Sequence, residues 1–157
     1  MKELLLHSTF VEYLLEELPK EEQKLVQMAI EATDRSYANY SKFHVGAALL
    51  LENGEIIIGC NQENAAFPAG ICAERTAIFA AGAQYPDVPV RTLAIAARDP
   101  KGELTAEPVS PCGTCRQVMI ETETRFSQPV RILLYGRNRI LAMNGIRHLM
   151  PLSFTEF

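Results

Sequence analysis

A three-layer α/β/α sandwich around a mixed five-stranded sheet is the fold class this sequence predicts, and three observations carry it. Two apolar runs, "VGAALLL" and "IIIGC", flank the pair Asn53-Gly54, a strong signal for an antiparallel hairpin. Beyond the hairpin, helical and apolar extended stretches alternate, the order of an α/β domain. The third observation is size and balance: 157 residues, 48% hydrophobic and 22% charged, enough for one soluble domain with its own core. We therefore expect a single domain over residues 1–157, with an N-terminal helical extension (1–20) ahead of a core spanning 22–154.

Taken in order, "STFVEYLLEELP" (residues 8–19) reads as a short helix capped by Ser8 or Thr9 and stopped by Pro19. "KEEQKLVQMAIEATDRSY" follows as an amphipathic helix, with Leu25, Met28, Ala29 and Ala32 on one face. Residues 45–60 are the hairpin, its strands apolar enough to be covered on both faces, joined by a type I′ turn. The loop "NQENAAFPAGI" leads into the alanine-rich helix "CAERTAIFAAGAQ". "RTLAIAA" (91–97) is a third strand, "RDPKGELTAEPVSP" a long loop and "CGTCRQVMIETETRF" the next helix. "VRILLYG" and "RILAM" complete the five strands, and "IRHLMP" is a short terminal helix before the tail "LSFTEF".

Charge and composition narrow the function. A net charge of −4 provides no global attraction for nucleic acid or an acidic membrane surface. The N-terminus is too acidic and too interrupted for a signal peptide, and no apolar run reaches the length of a membrane span. The expectation is a cytoplasmic protein. There, four cysteines point to metal or catalysis more than to disulfides.

Three of those cysteines are arranged for chemistry. Cys72 and Cys112 each open a helix, where the dipole and unpaired N–H groups favour thiolate. Cys115 lies one turn after Cys112 on the same face. Three thiolates fill three of the four tetrahedral positions of Zn²⁺, and the fourth goes to a side chain in a structural site or to water in a catalytic one. Glu74, two residues past Cys72, favours water: it is placed to lean over the metal and relay a proton. A redox pair at Cys112 and Cys115 would leave the Cys72-x-Glu74 spacing unexplained. Arg75 either donates to the thiolates and restores some Lewis acidity, or is a solvated helix arginine. Cys60 reads as an inert strand-end thiol, and His7, His44 and His148 stand at no ligand spacing.

Cys-x-Glu followed by Pro-Cys-x-x-Cys is the pattern of zinc deaminases in all-cysteine form. More specifically, "YSKFHVGAALL", "GCNQENAAFPAGICAERTAIF" and "SPCGTCRQV" resemble the small, homotetrameric, pyrimidine-salvage cytidine deaminases, in family order, over roughly residues 22–154. The resemblance implies Cys72, Cys112 and Cys115 as ligands of one zinc per subunit and Glu74 as the proton shuttle. It implies that Asn61 and Glu63 bind the ribose 3′-hydroxyl and that Phe43 packs on the nucleoside. Ala73 and Ser110 would meet the pyrimidine ring. Phe154 would stack on the base in a neighbouring subunit's site, with Phe157 the alternative. Asn39 and Phe67 depart from the family's more usual proline and tyrosine.

The reaction implied is hydrolysis of cytidine and 2′-deoxycytidine to the uridines with release of ammonia. A blasticidin-type aminonucleoside deaminase shares the cysteine and glutamate elements, and a non-enzymatic zinc module would need a fourth protein ligand. Asn61, Glu63 and Phe154 favour the cytidine reading.

Overall fold

The computed structural model describes residues 1–156; Phe157, the alternative stacking residue, lies outside the described residues. One sheet runs β1-β6-β5-β4-β2-β3, built from β1 (Val11–Tyr13), β2 (His44–Leu51), β3 (Ile56–Cys60), β4 (Val90–Arg98), β5 (Arg131–Tyr135) and β6 (Ile140–Asn144). Only β4 and β5 pair in parallel; the β1–β6, β2–β3, β2–β4 and β5–β6 pairs are antiparallel. The long helices are α1 (Lys20–Thr33), α2 (Ala73–Gln84) and α3 (Gly113–Phe126).

Alternation along β2 separates two cores. Ala47, Leu49 and Leu51 join α2 and α3 residues such as Ala77 and Met119 on one face. Ala48 and Leu50 join Leu25, Val26 and Ala29 of α1 on the other. Successive strand side chains point to opposite faces, so an apolar run in β2 fills both layers at once. The predicted three-layer α/β/α sandwich is what forms.

Three expectations need correction. The sheet has six strands rather than five. The N-terminal extension is not helical: residues 8–19 contain β1 and a single 3-10 turn, Leu15–Glu17. Tertiary pairing overrides local propensity here, because β1 lies in register with β6, Val11 opposite Ala142 and Tyr13 opposite Ile140. Finally, the Asn53-Gly54 turn is not type I′. Only Gly54 of the pair has positive φ, at 86°. Gly54 donates to Leu51 O (3.0 Å), and Leu51 N to Glu55 O (2.9 Å). This is the three-residue loop with glycine in the left-handed position, the next hairpin class in frequency.

The topology also decides where a site can form. β3 and β4 both run antiparallel to β2, so Cys60 of β3 and Ala97 of β4 end beside Gly46 and Val45 at the start of β2. The loops leading into α2 and α3, and the turn entering β2, therefore gather at one sheet edge. Ligand sites in α/β sheets favour such carboxyl ends.

Candidate active site

α2 begins beside the end of β3. A Cβ on Gly59 would stand 2.4 Å from Ala73 O and 2.5 Å from Ala77 N, so only glycine lets the first turn of α2 settle on the strand. That turn carries Cys72 as its N-cap residue, then Ala73, Glu74 and Arg75. The N-cap of α3 is Cys112, whose Sγ accepts from Cys115 N at 3.5 Å. Two helix N-termini thus bring three thiols together, and their Sγ atoms all lie within 4.8 Å of one another.

This set fits zinc. Tetrahedral Zn–S bonds of about 2.3 Å put sulfurs about 3.8 Å apart, and Cys72 Sγ and Cys112 Sγ are 3.8 Å apart. Among the described residues, Cys72, Cys112 and Cys115 are the whole cluster; no other histidine, cysteine or carboxylate joins it. Cys72 is poised for thiolate: it is drawn down to about 5, first by a hydrogen bond from the Cys115 thiol and then by the Arg75 guanidinium and Cys112, against the cost of burial. The same shared proton, with burial, drives Cys115 upward.

Glu74 is only 4% exposed. Burial pushes its carboxyl above the usual carboxylate range and the charge on Cys72 adds to this, while its own backbone N–H and the Cys115 thiol pull the other way. The result is a carboxyl inclined to hold a proton beside the sulfurs. Arg75 donates from Nη2 to Cys72 Sγ at 3.7 Å. Its Nε is buried with no hydrogen-bond partner, a polar atom that an anionic thiolate centre helps to accommodate.

A cavity of about 580 Å³ opens against this corner. Its lining includes Cys72, Arg75 and Thr114 together with Tyr40, Ser41 and the segment from Asn61 to Asn64. Of the residues expected at the site, Cys72, Arg75, Asn61 and Glu63 line the cavity; Glu74, Cys112, Cys115, Phe43, Ala73, Ser110 and Phe154 are not among its lining residues. Ala73 is fully buried, and Phe154, 64% exposed, runs outside α3, where its carbonyl accepts from Gln117 Nε2 at 2.8 Å. Spacing rules did not single out Tyr40, Ser41 or Thr114. They carry no motif of their own, although each lies inside or beside the quoted blocks. Cys60 is half-buried and accepts from Gln62 Nε2 at 3.3 Å, apart from the sulfur cluster. His148 packs, accepting at Nδ1 from Thr9 N at 3.0 Å.

Converging helix N-termini that carry a three-sulfur metal centre beside a buried carboxyl define the class: an α/β/α metal-site protein. Residues 19–127 match the family model described as the cytidine and deoxycytidylate deaminase zinc-binding region, and the chain belongs to that family. It is 46% identical over 99 residues to a cytidine deaminase of Halalkalibacterium halodurans, covering 63% of this chain and 70% of the relative. A crystal structure of a cytidine deaminase from Burkholderia pseudomallei superposes with a TM-score of 0.73 at 34% identity, over 87% of this chain and all (100%) of that one. A blasticidin-S deaminase of Bacillus cereus is 30% identical over 142 residues, covering 88% of this chain and 96% of the relative.

Proposed function

We propose that this chain hydrolyses cytidine and 2′-deoxycytidine to uridine and 2′-deoxyuridine, releasing ammonia, as a zinc-dependent enzyme of pyrimidine salvage. The observation that carries the reading is the Cys72–Cys112–Cys115 cluster at zinc spacing beside buried Glu74. Cys72, Cys112 and Cys115 hold one zinc per subunit. Bound there, zinc supplies a Lewis acid that brings the pKa of water toward neutrality.

Glu74 does the proton work. Protonated, it donates to N3 of the pyrimidine and makes C4 electrophilic. As carboxylate it accepts the proton of the attacking water and passes it to the 4-amino group, which leaves as ammonia, and the proton remaining on the C4 hydroxyl returns to Glu74 as the carbonyl forms. Its environment supports both states, since burial raises the carboxyl while its own N–H and Arg75 favour the anion. Arg75 offsets charge on the thiolates through Cys72. Asn61 and Glu63 read the ribose 3′-hydroxyl from the cavity wall, where a carboxylate also repels phosphorylated nucleotides. Ala73 and Ser110 meet the ring and Phe43 packs on the nucleoside.

The assembly we propose is a homotetramer with shared sites. In support, Phe154 is exposed and lines no part of its own chain's cavity, as expected of a ring that serves a neighbour. The domain is read as one unit, residues 22–154 catalytic and the first 20 an appended segment. No helix is long and apolar enough to cross a membrane among the described residues. A cytoplasmic location suits three thiols that must stay reduced to bind metal.

The 142-residue match to blasticidin-S deaminase supports a second reading, deamination of an aminonucleoside antibiotic. One assay separates the two: ultraviolet change on cytidine, 2′-deoxycytidine and blasticidin S, with zinc content measured on the same preparation. Turnover of the two pyrimidine nucleosides alone is expected; turnover of blasticidin S alone would replace this reading with the second.

A further inference from the structure

Glu63, which lines the cavity, is hydrogen-bonded to the turn that enters β2. The turn entering β2 holds Lys42 at φ 57°, closed by Lys42 N donating to Ala38 O at 2.9 Å. Non-glycine residues adopt that conformation only when their surroundings impose it. The loop after β3 braces the residues on either side of Lys42. Glu63 Oε2 accepts from Tyr40 N at 2.7 Å and from Ser41 N at 3.1 Å. Glu63 Oε1 accepts a short hydrogen bond from the Ser41 hydroxyl, and Ser41 Oγ in turn accepts from Phe43 N at 3.0 Å. Asn61 closes the far side, accepting from Val45 N at 2.7 Å and donating to Phe43 O at 2.9 Å.

The donor count is informative. An ionised carboxylate offers about four acceptor sites, and the turn supplies three donors: Tyr40 N to Oε2, Ser41 N shared between Oε2 (3.1 Å) and Oε1 (3.4 Å), and the Ser41 hydroxyl to Oε1. Three donors leave about one acceptor site, in a residue that lines the cavity. Its direction is set by whatever fixes the rotation of the carboxylate, and the Ser41 hydroxyl is the side chain that grips Oε1. The same hydroxyl is the leading cause that holds the Glu63 carboxyl below its usual range, so the acceptor stays charged.

We propose that Ser41 is a positioning residue that orients the Glu63 carboxylate so that its remaining acceptor capacity meets a substrate hydroxyl, making the wall specific for a nucleoside with that hydroxyl intact. This rests on the reading of Glu63 as a 3′-hydroxyl acceptor. Ser41→Ala keeps the backbone donors Tyr40 N and Ser41 N, so the turn persists while Oε1 retains only the long 3.4 Å contact from Ser41 N.

The test compares kcat and KM for cytidine and 3′-deoxycytidine in wild type, Ser41→Ala, Ser41→Thr, Glu63→Gln and the Ser41→Ala/Glu63→Gln double variant. Wild type should prefer cytidine, and Ser41→Ala should lose roughly tenfold or more on cytidine, mainly in KM, as expected when a charged hydrogen bond is misaligned. On 3′-deoxycytidine the loss should stay below about threefold, because that substrate never uses the acceptor. Ser41→Thr should restore cytidine, and Ser41→Ala should add little in the Glu63→Gln background. Equal losses on both substrates, or a full extra loss in the double variant, would overturn the role of Ser41 alone. Equal use of the two substrates by wild type would overturn the reading of Glu63, and the proposal with it.

Discussion

The three sulfurs are chemically unequal although zinc would treat them alike. Cys72 is held down to about 5 by the Cys115 thiol, Arg75 and Cys112, while Cys115 is driven up. At pH 7 the metal-free protein therefore carries Cys72 as thiolate and Cys115 as thiol. Zinc binding must expel any remaining thiol protons, so the cysteines themselves should release no more than two protons per zinc at pH 7, and the metal-free protein should already show thiolate absorbance in the ultraviolet at that pH. No thiolate absorbance before metal is added would contradict the assignment. Because the folded value of Cys72 is depressed, its thiolate is lost as pH falls through about 5, and metal retention should drop steeply below that pH. Replacing Arg75 with glutamine removes the 3.7 Å donor to Cys72 and should move that loss to higher pH, measured by zinc remaining after dialysis. The spacing Cys72-x-Glu74 and Pro-Cys-x-x-Cys made these residues legible in the sequence, since each is a local helix start. Ser41 and Glu63 are 22 residues apart, and no periodicity marks such a pair.

At the scale of elements, the site depends on how closely α2 approaches β3. Gly59→Ala would push a methyl into Ala73 O and Ala77 N and lift the turn that carries Cys72 and Glu74. We expect a loss of about 1–3 kcal/mol in urea unfolding, as for other overpacking changes, accompanied by loss of zinc. Gly54→Ala is the control: φ is 86° but nothing lies within 4 Å. It should cost roughly 1–2 kcal/mol from the left-handed backbone and leave zinc content unchanged. Zinc loss in both variants, or in neither, would contradict the role given to Gly59. Sequence reading placed the hairpin correctly and misjudged its turn, because Asn53-Gly54 serves two loop classes, a two-residue type I′ turn with both φ positive and a three-residue loop in which only Gly54 has positive φ.

Across the whole molecule, the N-terminal segment extends the sheet through Val11–Tyr13 instead of adding a helix. β1 covers β6, Arg139 binds Glu12 at 2.9 Å, and Ser8 donates to His148 O at 2.6 Å. Without this segment the edge of β6 is bare, and uncovered edges invite pairing with other chains. Deleting residues 1–14 should leave zinc content intact and increase concentration-dependent self-association in light scattering. Unchanged association would show that the segment does not guard the edge. Its helix-forming composition hid this, because the partner that makes it a strand lies nearly the whole chain away. The sandwich itself was legible, because hydrophobic runs in β2 and β4 announce strands covered on both faces.

One preparation decides the central claim. Zinc content and cytidine turnover should be measured side by side for wild type and Glu74→Gln, which keeps the size of the side chain and removes its acid. The account predicts equimolar zinc in both proteins, with turnover lower by roughly 10²–10⁴-fold in the variant. Near-normal turnover by Glu74→Gln, or an active wild type free of zinc, would contradict it.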